Sequence, residues 1–288
     1  MHLSKRASLF LTVNLTAARL LLAQTPDVEA IMSQVAAHQD HAEQARAQYT
    51  YTQKIRVRAI HSNGKLSREE SCVYNAVPNG KNTKKDLVEC RGRYPTKDGM
   101  AEYHKSGEPN PERKIDIDAS ILPGLRDGLV SDTDSKDGLG KDLFPLTTVE
   151  EKKYSYELEG EQQYRGEPVY RIKFWPKKQY EGFDDDQTVW AGEALVDKAD
   201  LQPISVTTRM AKGLPLVVKT ILGTNLHQLG FTVSYRRFDN SVYFPVSYGG
   251  EFDVRALFFY KRTFTISMEN TDFRRGEAKS TITFERPR

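Results

Sequence analysis

Histidine pairs and clustered carboxylates are the residues of this 288-residue sequence that could carry metal or acid–base chemistry. His38 and His41 are three residues apart in a segment with helical periodicity, a spacing that can present two imidazoles to one metal ion. No third ligand stands near them in the sequence, so solvated helix histidines are the favoured interpretation. Asp184–Asp186 is an acidic run typical of a loop between strands, and the spacing of Asp116 and Asp118 does not place them across a cleft. We expect no metal site and no cofactor.

The motifs of the common enzyme classes are absent. The sequence contains no HExxH zinc motif, no GxSxG nucleophile elbow and no complete P-loop, because Asp142 stands where Ser or Thr would bind magnesium. The stretch "DTDSKDGLGKDL" resembles a calcium loop, but Gly138 comes one residue late and Leu143 replaces the bidentate Glu. We therefore expect a non-enzymatic protein. The weaker alternative is a hydrolase without a recognisable motif.

The N-terminal segment has the pattern of an export signal. Lys5 and Arg6 precede a mostly apolar run over residues 9–22, and a small residue for cleavage follows. Arg19 interrupts the apolar run, which argues against a membrane-spanning helix. The sequence therefore predicts a signal peptide over residues 1–24 and a soluble periplasmic protein, not an integral membrane protein. A mis-assigned start is the alternative.

The charge balance gives no reason to expect a polyanionic partner. The whole chain has 42 Lys and Arg against 39 Asp and Glu, and residues 1–24 hold three of the basic residues and no acidic one. Residues 25–288 are therefore balanced at 39 against 39. Bulk electrostatics then do not favour binding to nucleic acid or to an anionic membrane.

Two cysteines, Cys72 and Cys90, flank a predicted hairpin. The turn residues Pro78-Asn79-Gly80 lie between them, and if the hairpin folds about Lys81, positions whose numbers add up to 162 face each other. Cys72 and Cys90 meet that condition, so a cross-strand disulfide is expected in an oxidising compartment. Two free buried thiols are the alternative.

Hydrophobic periodicity predicts one long helix followed almost entirely by strands. Residues 26–48 carry an apolar stripe at helical spacing, with Thr25 as the N-cap and Pro26 in the first turn. From residue 49 the period changes to two. Strands are expected over 49–60, 65–75, 84–92, 99–105, 153–160, 166–175, 187–197, 203–211, 214–222, 229–238, 242–250, 256–269 and 277–285. This order predicts a mainly β (α+β) fold, with one large curved antiparallel sheet or half-barrel against which the N-terminal helix packs.

Residues 106–150 interrupt the strands with two predicted short helices. The first has apolar residues at helical spacing after a capping Asp118, but Pro123 weakens it. The second begins at a capping box on Thr147 or Thr148. We expect a single domain over residues 25–288, with residues 106–150 as a lid over the open face of the sheet. The apolar lid positions are Ile121, Leu122, Leu125, Leu129 and Phe144.

Several short stretches resemble the outer-membrane lipoprotein-sorting proteins of the LolA/LolB type. They are the helix followed directly by "YTQK", then "YELEG", "VYRIKFWPKK" and "WAGEALVDKADLQPISVTTR". The resemblance implies a curved half-barrel whose apolar concave face is covered by helices and binds acyl chains without catalysis. It also implies a basic residue in an early strand that contacts the lid, for which Arg93 is the nearest candidate.

Two functions follow from these observations. The first is a periplasmic carrier for lipoprotein acyl chains or another hydrophobic envelope ligand. The second is an envelope sensor or interaction module that binds a protein partner, for which the segment 255–270 is the candidate surface because Phe258, Phe259 and Tyr260 are consecutive. In the carrier, the lid positions would contact cargo, and the alternative is that they fill the core. The strand candidates for the same role are Tyr51, Ile55, Val57, Phe174 and Trp190.

Overall fold

The computed structural model describes seven stretches of the chain. These are residues 26–130, 135–140, 146–180, 189–212, 226–238, 242–256 and 260–276. The predicted signal peptide, the predicted strands over 214–222 and 277–285, and the candidates Phe144, Phe258 and Phe259 lie outside the described residues.

Two α-helices and eleven β-strands are formed by the described residues. The helices are α1 (Val28–Arg46) and α2 (Ile117–Val130). The strands are β1 (Tyr49–Ile60), β2 (Leu66–Pro78), β3 (Thr83–Thr96), β4 (Gly99–Tyr103), β5 (Tyr154–Tyr164), β6 (Glu167–Pro176), β7 (Val189–Asp197), β8 (Pro203–Lys212), β9 (Leu226–Phe238), β10 (Val242–Ala256) and β11 (Tyr260–Arg275). None of the described helices is long and apolar enough to cross a membrane.

All eleven strands belong to one curved, unclosed antiparallel sheet. Its order is β4-β3-β2-β1-β11-β10-β9-β8-β7-β6-β5, so β4 and β5 form the two edges. Every neighbour is adjacent in sequence except β1 and β11, which join the N-terminal strands to the C-terminal ones. The predicted mainly β fold with a large curved sheet is confirmed.

The inward-facing and outward-facing positions predicted for β1 match its burial in the structure. Tyr51, Ile55 and Val57 are buried on one face of the strand, whereas Lys54 and Arg56 on the other face are exposed. Successive strand residues point to opposite faces, so one face of a two-sided sheet can hold the core while the other contacts water. We call the buried face the inner face, since both helices pack on it: α1 against β10 and β5, and α2 against β1 and β2.

Helix α1 begins two residues later than the sequence suggested. The predicted N-cap Thr25 is wrong: Asp27 caps the helix, and its carboxylate accepts hydrogen bonds from the backbone N–H groups of Glu29 and Ala30. A charged acceptor at this position satisfies two of the first unpaired N–H groups and complements the helix dipole. The buried residues Ile31, Met32 and Val35 then face the sheet.

The prediction of two short helices in residues 106–150 is right for the first helix and wrong for the second. Helix α2 forms, but its first turn is capped by Asp116, which accepts from the N–H of Ala119, and not by Asp118. Where the second helix was expected, Thr147 accepts from the N–H of Glu150 at 3.4 Å, and only a single 3₁₀ turn follows, over Glu151–Lys153. Thr148 donates instead to Asp40 of α1, so this segment is fixed to α1 rather than folded as a helix.

The disulfide between Cys72 and Cys90 is confirmed. It joins directly opposed residues of β2 and β3, the pairing that the sequence predicted, although the hairpin does not fold about Lys81. In the ladder pairs between the turn and Tyr74, the register is one residue away from that of the cysteine pair. Tyr74 faces Leu87, whereas Val73 faces Glu89, so Val88 is the extra residue of a β-bulge. This bulge is what places Cys90 opposite Cys72.

Candidate ligand-binding face

The sequence-predicted contact residues meet on the inner face in one hydrophobic cluster. Eight of them are at most 5% exposed, and all eight pack together with aromatic and aliphatic residues of β5 to β11. These eight are Ile121, Leu122 and Leu125 of α2, Tyr51, Ile55 and Val57 of β1, Phe174 of β6 and Trp190 of β7. Leu129 lies within α2, but its side chain is outside the described part of the chain.

The apolar surface of α2 closes this cluster at its β1 and β2 side. Ile121, Leu122 and Leu125 are buried, whereas Ile115, just before the helix, is 76% exposed. Pro123 inside the helix lacks the N–H that would close one backbone hydrogen bond. The stability of α2 as a helix therefore comes mostly from its contacts with the sheet and not from its intrinsic helix propensity.

The N-terminal end of α2 is held by buried ion pairs. Asp116 accepts a hydrogen bond from Arg68 of β2 at 2.7 Å, and both side chains are at most 1% exposed. Arg113 contacts Asp116 at 3.6 Å and Asp118 at 3.3 Å, so it bridges the two carboxylates. Charges buried this completely are stable only when paired, which ties the helix end to the sheet.

Asp118 makes the densest set of contacts at this end. Its carboxylate accepts from the hydroxyls of Ser67 and Tyr260 and from the guanidinium of Arg262, whose Nε lies at 3.2 Å. Burial would raise the pKa of Asp118, but the hydrogen bonds from Ser67 and Tyr260 and the charge of Arg262 together lower it below its ordinary value. Burial and the charge of Asp118 raise the pKa of Tyr260, which keeps its hydroxyl a donor.

The other end of α2 is held through Arg126. Its Nη1 donates to Glu70 of β2 at 2.6 Å and to the hydroxyl of Ser106 at 2.9 Å, and it lies 3.1 Å from Cys72 Sγ. Glu70 also accepts from Tyr103 and from the backbone N–H of Gly107. The disulfide is thus part of the surface on which α2 rests.

Arg68 lies against two stacked aromatic rings. Its Cζ lies 4.9 Å from the ring centre of Tyr94 and 4.6 Å from that of Tyr103, which is cation–π geometry. The ring of Tyr103 covers Gly92, where any Cβ would overlap it. Arg68 itself is 0% exposed, and its Nε and Nη1 have no hydrogen-bond acceptor among the described residues.

A second set of contacts ties the segment after α2 to the sheet and to α1. Arg46 of α1 forms a buried ion pair with Asp137 at 2.8 Å, and Tyr51 donates its hydroxyl to the backbone oxygen of Asp137. Gly138 follows with φ +74°, and a Cβ there would press on Thr83. Gly138, whose position ruled out a calcium loop, therefore allows the backbone to lie close to the side chain of Thr83.

The histidine pair of α1 lines an open cleft of about 290 Å³. Asp200, Gln202 and Tyr243 lie opposite, but Asp200 is occupied by the hydroxyl of Tyr243 at 3.0 Å and by Arg237. His38 Nδ1 is 3.1 Å from the backbone oxygen of Leu201. Within the described residues, the one group of potential metal ligands within 4.8 Å of one another is Glu70, Cys72 and Cys90, and its sulfurs form the disulfide.

Sequence reasoning missed the charged residues of the inner face. The strand over 65–75 was predicted, but Arg68 and Glu70 share the face of Cys72, and charges at two successive inward positions mark a buried polar network. Among the described residues, Arg93 pairs with Glu69 and not with the predicted lid, and it is half-exposed. Arg68 of β2 instead contacts Asp116, the residue just before α2.

The comparisons with known proteins give structural neighbours only. No family model matches the chain, and no curated protein matches it. A crystal structure of a DUF1329 family protein from Desulfovibrio piger is similar at 14% identity and TM-score 0.41, covering 88% of this chain and 96% of that one. A putative outer membrane lipoprotein-sorting protein domain from Vibrio parahaemolyticus is similar at 11% identity and TM-score 0.36, covering 84% and 92%.

A LolA superfamily protein from Nitrosomonas europaea is similar at 12% identity and TM-score 0.35, over 88% of this chain and 95% of that one. Lipoprotein-sorting proteins, the group that the sequence resembles, are thus among the structures similar to this chain. Identities and TM-scores at this level leave its function to be argued from its own residues.

Proposed function

We propose that the chain is a non-enzymatic periplasmic carrier that binds acyl chains, of a lipoprotein or another hydrophobic envelope ligand, on the inner face after α2 moves away. The observation that carries the proposal is the large apolar cluster under α2, which contains every predicted contact residue of β1, β6, β7 and α2 whose side chain is described. In the described structure α2 occupies this surface, so a ligand would reach it only after α2 has moved.

The free energies of seating the helix and of seating a ligand are comparable. Burying Ile121, Leu122 and Leu125 contributes about 1.5–3 kcal/mol each, or roughly 5–9 kcal/mol together. An acyl chain contributes about 0.8 kcal/mol per buried methylene, so a chain of about 12 methylenes offers close to 10 kcal/mol. Exchange of the helix for a ligand is then nearly balanced, which a carrier needs in order to load and release.

The polar contacts at the ends of α2 suit a helix that leaves and returns. Asp116, Asp118 and Arg126 can be solvated by water once the helix lifts, and their sheet partners fix its position when it reseats. An interface held only by apolar side chains would not fix the helix in one docked position.

Binding of a fluorescent acyl probe to the full chain tests the proposal. Dansyl-undecanoic acid should bind the wild-type protein, and hydrogen exchange of the α2 amides should increase on binding. Leu125→Ala weakens the seating of α2 by about 2–5 kcal/mol and should tighten probe binding at least tenfold, because the open form becomes more populated.

Ile115→Ser is the matched control. It changes an exposed apolar residue next to α2 and should leave the probe affinity unchanged. A folded Leu125→Ala variant that binds no probe, together with wild-type protein that carries no lipid in native mass spectrometry after purification from a bacterial envelope, would contradict the carrier. Recovery of one protein partner in place of lipid would favour the sensor or interaction module.

A further inference from the structure

The inner face changes from apolar to cationic at one end. The strands on either side of β1 present Ser67 and Arg68 from β2, and Tyr260 and Arg262 from β11. We call these four residues the cationic end. Arg68 is 0% and Arg262 14% exposed, and Arg262 is on the same face of β11 as the buried Phe264 and Ile266. The apolar cluster is therefore continuous with a group of buried hydrogen-bond donors.

Two carboxylates occupy the cationic end in the described structure, one from Asp116 just before α2 and one from Asp118 in its first turn. We call residues 116–130 the α2 segment. Asp116 binds Arg68, and Asp118 binds Ser67, Tyr260 and Arg262. Immediately after them in sequence come Ile121, Leu122 and Leu125 on the apolar cluster. The segment thus has the chemistry of an anionic amphiphile, with a charged head at the arginines and an apolar part on the cluster.

Departure of α2 would leave the arginines without their counter-ions. Asp116 and Asp118 are the acidic partners of Arg68 and Arg262 among the described residues, and both carboxylates belong to the α2 segment. Uncompensated buried charge is strongly unfavourable. An uncharged ligand would not restore the pairing, whereas an anionic group would.

Arg68 also has hydrogen-bonding capacity that Asp116 does not use. One nitrogen, Nη2, donates to Asp116, while Nε and Nη1 have no acceptor among the described residues. A guanidinium carries five N–H donors in a planar fork that fits carboxylate and phosphate groups. Contacts with the rings of Tyr94 and Tyr103, which stack on each other, help to hold the fork in place.

We propose that the cationic end binds the anionic head group, a carboxylate or a phosphate, of an amphiphile whose chain lies on the apolar cluster, and that Asp116 and Asp118 are internal stand-ins for this head group. This inference rests on the proposed carrier function and specifies its ligand class. Loading is then an exchange in which the head group of the ligand replaces Asp116 and Asp118, and its chain replaces the apolar side chains of α2.

Ligands with the same chain length and different head groups show how much of the binding affinity depends on the head group. Dodecanoic acid, dodecyl phosphate and dodecanol, each below its aggregation limit, are titrated into the full chain by calorimetry. The acid and the phosphate should bind at least tenfold more tightly than the alcohol, and the tighter of the two identifies the preferred head group. Equal affinity of all three would overturn the head-group inference while leaving the carrier function intact. Binding of none would remove the carrier function itself.

Substitutions at the arginines complete the test. Arg262→Gln, at the partly exposed position, should reduce the preference for the acid over the alcohol to below threefold without weakening alcohol binding. Arg56→Gln, on the exposed outer face of β1, is the matched control and should retain the full preference. An Arg262→Gln variant and an Arg68→Gln variant that both keep the tenfold preference would contradict the assignment to these residues.

Discussion

At the scale of single residues, the inner face carries buried charges that a folding core alone does not need. Four charged side chains are at most 1% exposed in a region where aliphatic residues of similar size would pack: Arg68, Glu70, Asp116 and Asp118. Replacing buried ion pairs by apolar residues is often neutral or stabilising. Their presence under α2 is explained if the helix must dock in one position and also leave.

The titration of Asp118 gives a test of this docking. Its pKa is lowered in the folded protein, so its charge contributes stability above the ordinary carboxyl pKa of about 3.9, and the contribution is lost as pH falls through the folded pKa. We expect Asp118→Asn to be less stable than wild type at pH 7 and the difference to shrink as pH falls toward 3. Urea unfolding at a series of pH values measures it.

The control for this series is Ile115→Ser, which introduces no titrating group beside α2. Its free energy of unfolding should follow that of the wild type at every pH. A gap between wild type and Asp118→Asn that stays constant from pH 7 to pH 3 would show that the carboxylate charge does not hold α2.

At the scale of elements, the β2–β3 hairpin shows how a β-bulge permits a covalent bond. Val88 is exposed and has no partner in β2, and because the bulge leaves it out of the ladder, Cys90 rather than Glu89 lies opposite Cys72. Bulges of this kind are specific features of a strand pair rather than irregularities.

Deletion of single residues tests the role of the bulge. Removing Val88 should leave Tyr74 opposite Leu87 and Cys72 opposite Cys90 in a regular ladder, so the disulfide should still form. Removing Val77, an exposed residue of the facing strand, should increase the mismatch and prevent the bond. Loss of the bond lowers the free energy of unfolding by about 3 kcal/mol for a loop of this length. Free-thiol titration after denaturation distinguishes the two; free thiols in the Val88 deletion alone would contradict the register argument.

The success of sequence-based prediction differed between elements for physical reasons. The alternation in β1 gave both of its ends correctly, because each position is either in the core or in water. The caps of α1 and α2 were misplaced by two residues, because several acidic and hydroxyl residues near each end can accept the same N–H groups. Where a second helix was predicted, the structure has a 3₁₀ turn at Glu151–Lys153, and Thr148 bonds to Asp40, a contact that no local pattern contains.

The candidate site was predicted only in its apolar half. Tyr51, Val57 and Leu125 could be found because periodicity reports burial. Arg68 and Arg262 could not, since their partners Asp116 and Asp118 lie far away in the chain and meet them only after the sheet forms. Charged residues at inward positions are ambiguous until the partner that neutralises them is known.

At the scale of the whole molecule, one apolar cluster extends from β1 across β11 to β5, which predicts a single cooperative unit. With Trp175→Phe as background, the fluorescence of the buried Trp190 reports the interior of the cluster. We expect its urea transition to coincide with the transition of the far-ultraviolet circular dichroism. Two separate transitions would show that residues 25–288 form more than one folding unit.

The pairing of β1 with β11 also affects how the protein is made. When β1 leaves the ribosome, the strand that completes its hydrogen bonding, which ends at Arg275, is still roughly 200 codons from translation, about 10–40 s at ordinary elongation rates. During that interval the nascent chain presents an open strand edge rich in Tyr, Ile and Val, a template for pairing with other chains. Every product of premature termination keeps this edge, so messages cut short before β11 should yield polypeptides that depend on chaperones or are degraded.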